Sequence, residues 1–136
     1  MKAEDRARAR FGHVLQSVER IFEYARHGSA RFLSDPMVQD AVMRRFEIVG
    51  EAIKQISSTF RNAHPEVRWA DLARFRDFLV HGYDAVSANR VWEIVEGPLR
   101  DVGRDLQRLR KRLGWWRYRS SSSRAITSRW ISLVPS

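Results

Sequence analysis

The chain has 136 residues, 43% hydrophobic and 30% charged, which predicts one soluble globular domain rather than a disordered chain or two domains. Cysteine is absent, so disulfide and thiolate chemistry are excluded and a cytoplasmic home is expected. The formal charge is +9, carried by 22 Arg and 3 Lys against 16 acids, but the last 23 residues hold four of the arginines and no acid. Nearly half of the excess thus lies in the tail, and charge by itself is weak grounds for a polyanionic partner.

No run of 18 apolar residues exists, so no membrane span is expected. Lys2, Arg6, Arg8 and Arg10 make the start basic but lead into no apolar stretch, which argues against a signal peptide. The first predicted helix covers 5–27, where Phe11, Val14, Leu15, Val18, Ile21, Phe22 and Ala25 recur at helical period. Gly28 reads as its stop, and a helical turn is expected around Phe32–Leu33. Asp35-Pro36 opens a second helix over 36–60, because Asp accepts from orphan N–H groups and Pro suits the first position. It should end before His64-Pro65.

A third helix covers 69–81, and Ser87 caps a fourth over 88–112, which Gly97-Pro98 should kink or split. No segment alternates apolar and polar residues as a strand does. The fold class is therefore all-α, an antiparallel up-and-down bundle of four to five helices. Residues 1–113 form the domain. Residues 114–136, with Trp115, Trp116, Trp130 and a serine run, form a basic appendage whose tryptophans are free to dock on a partner or on the bundle.

Arg76, four residues, His81, one residue and Tyr83 make R-x4-H-x-Y. Phosphodiester cleavage needs a group that moves a proton near neutral pH, and a cation against the charge developing at phosphorus. His and the planar fork of Arg fit those two tasks. The substrate's own 2′-OH can serve as nucleophile, so neither a protein nucleophile nor a metal is required. Five residues on one straight helix turn through about 140°. Arg76 and His81 therefore share a face only if the helix ends between them or if two protomers combine. An Arg and a His five apart also occur by chance, and a His at a helix end is often only a cap.

Other groupings carry less. His13, His27 and His64 are scattered and have no metal-ligand spacing. Glu47 and Glu51 read as helix-surface ion pairs with Arg44 and Lys54 rather than as paired catalytic carboxylates. Gly50 reads as a site of close helix packing, and Trp69 and Trp92 as core or interface residues rather than base-stacking platforms.

Several blocks in order extend the motif. They are Asp35-Pro36 with Gln39-Asp40-Ala41-Val42, the string from Glu47 through Gly50-Glu51-Ala52 to Lys54, and Phe60-Arg61. His64-Pro65-Glu66-Val67-Arg68-Trp69, His81-Gly82-Tyr83-Asp84 and Val91-Trp92-Glu93-Ile94-Val95 follow. From about Arg10 to Leu113 the chain resembles the HepT-like toxins of the HEPN superfamily. The resemblance implies a HEPN-like helical bundle that forms a homodimer, sets two Arg/His motifs across a shared cleft, and cuts RNA with no metal or other cofactor. It implies Arg76 and His81 as catalytic, Asp77 as supporting, and Tyr83 as the acceptor of an AMP group from a minimal nucleotidyltransferase antitoxin, as in a type VII-like toxin–antitoxin system. The alternative is a non-catalytic helical partner or nucleotide-binding subunit of that nucleotidyltransferase. A general basic RNA-binding protein would need a continuous arginine face, and the acids interspersed in every helix argue against one.

Overall fold

The computed structural model describes residues 2–81 and 87–115, without the side chains of residues 78–81. Among the described residues there are seven helices and no strand: α1 (Ala3–Tyr24), α2 (Ser29–Ser34), α3 (Pro36–Gln55), α4 (Ser58–Ala63), α5 (Trp69–His81), α6 (Ala88–Glu96) and α7 (Pro98–Leu113). None is long and apolar enough to cross a membrane. The four expected stripes all become helix. The extra elements come from local breaks. The first helix ends at Tyr24, three residues short of the expected end, and Gly28, with φ of +88°, instead starts the short α2, while Gly97-Pro98 splits the last stripe into α6 and α7.

The stripe expected over 36–60 breaks earlier than Pro65 requires. Ile56 adopts an extended backbone, and the Ser57 hydroxyl accepts from the Phe60 N–H at 3.1 Å, capping α4 as a new helix. Three successive polar residues, Ser57, Ser58 and Thr59, favour such side chain-to-backbone bonds over helix continuation. The other two caps form as expected. Asp35 accepts from Met37 and Val38 N–H at 3.1 and 3.3 Å, and Ser87 accepts from the Arg90 N–H at 3.3 Å. Each such cap is worth about 1 kcal/mol.

Ring contacts fix the direction of the helices. At one end, Trp115 stacks on Phe60 (5.7 Å, 11° between planes) and meets the edge of Phe11 (5.6 Å). Phe60 also touches Trp69 at 6.1 Å. The first half of α1, the segment after α3, the start of α5 and the end of α7 thus gather at one end. At the other end Phe32 of α2 packs on Trp92 of α6 at 5.3 Å. Helices α1, α3 and α5 therefore run antiparallel in turn, with α3 central between its two neighbours. Val14, Val18, Ile21, Val42, Phe46, Val49, Leu72, Val95, Leu99 and Leu106 form the core. Complete burial of one such side chain stabilises the fold by about 1.5–3 kcal/mol.

Trp115 is buried, so the bundle includes one residue of the stretch read as an appendage. A left-handed Gly114, φ +68°, ends α7 and turns the chain so that the indole falls back on Phe60. Trp116 through Ser136 lie outside the described residues. Trp69 is buried and Trp92 is half-buried against the core, in agreement with their reading as packing residues.

Candidate active site

Helix α5 carries Arg76 and Asp77 midway along its length and His81 as its last residue. It packs along α3, where Phe46 meets the edge of Phe75 at 6.1 Å. One turn further along α3 stands Gly50. A Cβ at Gly50 would overlap Cβ and Cγ of Arg76 and lie 2.8 Å from Cδ, so the arginine stem occupies the space a side chain would need. Gly50 therefore permits close helix packing, as its sequence position suggested.

The Arg76 side chain is 21% exposed, so its stem is covered while its tip reaches the surface. Nη2 donates to Glu51 Oε1 at 2.8 Å and Nη1 donates to Asp77 Oδ1 at 3.2 Å. Nε is buried and makes no hydrogen bond to the described residues. Asp77 thus lies against the guanidinium of Arg76. The expectation for Glu51 is corrected. Arg44 does pair with Glu47, at 3.1 Å, but Glu51 crosses to α5 rather than pairing along its own helix. The reach from Gly50-Glu51 to Arg76 joins positions 25 and 26 residues apart, and no local spacing signals it. The only hint was the Gly-Glu step itself: a helix surface stripped to the backbone beside a carboxylate.

The remaining members of the motif are reached in part. The backbone of α5 is helical through His81, so the helix does not end between Arg76 and His81. The two positions differ by about 7.5 Å along the axis and about 140° around it. The His81 side chain, and Gly82 through Val86 with Tyr83 among them, lie outside the described residues. The other histidines stand apart from the motif. His13 and His27 are exposed, and His64 Nδ1 lies 2.7 Å from Arg112, which also pairs with Glu66.

Comparison with known proteins decides the family. The family model described as "Ribonuclease HepT-like" matches residues 14–109. The chain belongs to the HepT-like ribonuclease family. It is 36% identical over 99 residues to a Thermococcus cleftensis protein named "Probable ribonuclease HepT", covering 72% of this chain and 90% of that protein. It is 37% identical over 84 residues to a Caldanaerobacter subterraneus protein named "Putative RNase", covering 61% of this chain and 75% of that protein. A Methanocaldococcus jannaschii protein named "Gamma-glutamylcyclotransferase and putative RNase" is 33% identical over 102 residues, 74% of this chain but 46% of the longer relative. No solved structure matches the chain. The HepT-like region contains Gly50, Glu51, Arg76, Asp77, His81 and Tyr83, and leaves out the first turns of α1 and the tail.

Proposed function

We propose that this protein is an RNA endonuclease that acts as a homodimer, with Arg76 and His81 as the reacting pair and RNA as substrate. Arg76 donates N–H bonds to the non-bridging oxygens of the scissile phosphate. The 2′-OH attacks phosphorus, the P–O5′ bond breaks, and His81 moves the proton that the step transfers. The products are a 2′,3′-cyclic phosphate and a 5′-hydroxyl, and the reaction needs no metal.

The observation that carries this reading is the unbroken course of α5 through His81. With the helix continuous, a phosphate that meets Arg76 of one chain lies about 140° around the helix from position 81 of the same chain. A second protomer across a two-fold axis removes that conflict, since each chain then offers one member of the pair to a shared cleft. Membership of a ribonuclease family supports the same chemistry.

The protein is further read as the toxin half of a toxin–antitoxin pair. A minimal nucleotidyltransferase partner silences it by adding AMP to Tyr83. One observation favours a second reading, a non-catalytic partner of that nucleotidyltransferase. Both terminal nitrogens of Arg76 already face carboxylates, as in a structural brace between α3 and α5.

The test is cleavage of RNA by the purified chain in EDTA, with the product ends analysed. Cyclic phosphate ends, lost in His81→Ala and strongly reduced in Arg76→Ala with both variants folded, are the expected result. Removing one charge-stabilising donor costs about 2.7–4 kcal/mol of transition-state stabilisation in comparable sites. Parent-like cleavage in either variant removes that residue from the reacting pair, and absence of cleavage by the parent chain leaves the non-catalytic reading standing.

A further inference from the structure

The geometry points to Glu51 as the residue that positions Arg76 for phosphate, a role that rests on the reading of Arg76 as the phosphate-binding cation. A free arginine side chain has many rotamers, and a fork that must meet two oxygens loses its value if it turns. Three contacts remove that freedom. Gly50 lets the stem lie flat on the backbone of α3. Glu51 accepts from Nη2 at 2.8 Å, from a different helix than the one that carries the arginine. Asp77 accepts from Nη1 at 3.2 Å on the other side.

Counting protons shows that this clamp leaves the fork usable. A guanidinium has five N–H groups. Nε is buried, and Glu51 and Asp77 take one N–H each from the two terminal nitrogens. Each terminal nitrogen keeps a second N–H, and that pair is the set a phosphate accepts in a two-point contact. Glu51 is itself about half exposed, with 56% of its side chain open, so the fold does not need it as buried packing. What it contributes is the plane of the guanidinium. Glu51 touches no reacting atom in this arrangement and is a positioning residue.

The experiment is steady-state cleavage of an RNA oligonucleotide by the full chain carrying Glu51→Ala, Glu51→Gln, Arg76→Lys, or Glu51→Ala with Arg76→Lys. Glu51→Ala should lower kcat by about 10- to 100-fold with little change in KM, since misplacing a catalytic group acts on the chemical step. Glu51→Gln keeps an acceptor oxygen and should recover part of the loss. Lysine offers no planar fork to orient, so Glu51→Ala should cost little more once Arg76 is lysine. Melting temperatures should stay close to the parent. Parent-like kcat in Glu51→Ala, beside a slowed Arg76→Lys, overturns the role of Glu51 and leaves Arg76 catalytic. Equal losses from Glu51→Ala in the arginine and lysine backgrounds overturn it as well. A fully active Arg76→Lys enzyme instead shows that a planar fork is not needed, which overturns the role of Glu51 and leaves a cation at position 76 in place; a fully active Arg76→Ala enzyme overturns the reading of Arg76 itself, and the role of Glu51 with it.

Discussion

Gly50 of α3 and Arg76 of α5 share one space: the stem of the arginine lies where any side chain at position 50 would begin. Because the atoms in conflict are the Cβ and Cγ of Arg76, next to its backbone, rotation about the far bonds of the side chain does not relieve the overlap.

Gly50→Ala should therefore destabilise the bundle and displace Arg76 together. Alanine gains about 0.5–1 kcal/mol over glycine inside a helix, but overpacking costs about 1–3 kcal/mol, so the net change is a loss. Urea denaturation should report the lower stability, and RNA cleavage should fall further than the folded fraction does. A Gly50→Ala protein with parent stability and activity would mean that α3 and α5 separate freely at this point.

If the Arg and His of a working site come from different protomers, two dead variants can complement. Arg76→Ala and His81→Ala chains, each inactive alone, should regain part of the cleavage activity when mixed and allowed to exchange subunits. The mixed dimer contains one Arg76 and one His81 on opposite chains. The assay is activity against mixing ratio, with a maximum expected near equal amounts. A mixture as inactive as its components would place both residues of each site on one chain and contradict the geometric argument from α5.

Tyr83 stands two residues beyond His81, outside the described residues, and its expected role is regulatory. In the modification its phenolic oxygen attacks the α-phosphorus of ATP, the phenolic proton leaves, and pyrophosphate departs. The attached AMP adds bulk and negative charge beside a site meant for phosphate. Mass spectrometry of chain co-expressed with a minimal nucleotidyltransferase should find AMP on the peptide holding Tyr83, with cleavage lost. Tyr83→Phe should cut RNA and escape silencing. An unmodified yet inhibited parent chain would show that the partner acts by covering the cleft.

Asp105 sets a pH dependence of stability away from the site. It is buried on α7, and burial pushes its carboxyl above the ordinary value, against the opposing pull of Arg68, whose Nε lies 3.6 Å away. The folded state thus favours the protonated acid. Its contribution is full below the ordinary carboxyl pKa and is lost as pH rises through the raised folded value. Asp105→Asn does not titrate, so it should gain stability relative to the parent as pH rises from about 4, the ordinary carboxylate value, toward neutrality. Urea midpoints across that range check this; parallel profiles for the two proteins would contradict it.

The local features of the fold were legible residue by residue. Asp35 and Ser87 start helices because their side chains reach N–H groups two or three positions on. Gly28 and Gly97-Pro98 interrupt the chain through their own backbone limits. The apolar stripes face inward because period 3.6 puts Val14, Val18 and Ile21 on one side. Only the earlier break at Ile56-Ser57 escaped, where a local cap overrode a stripe that would have continued. The R-x4-H-x-Y spacing was equally open to reading, as a pattern.

What the tertiary structure decided is how that pattern is furnished. The sequence pairs Glu51 within its own helix because i and i+4 neighbours are visible in a string of letters, whereas the fold sets it against Arg76 across 25 residues. The sequence leaves Trp115 free to dock on a partner or on the bundle, and Gly114 turns it back onto Phe60 and Phe11. Both contacts depend on the sliding register and approach distance of separate helices. Those follow from how the whole core packs, with glycine at position 50 setting how near α5 can come to α3. The sequence alone specifies the helices and offers Arg76 and His81 as the candidate pair, whereas the packing of α3 on α5 sets which carboxylates hold the arginine, because no single helix contains the information on where its neighbour will lie.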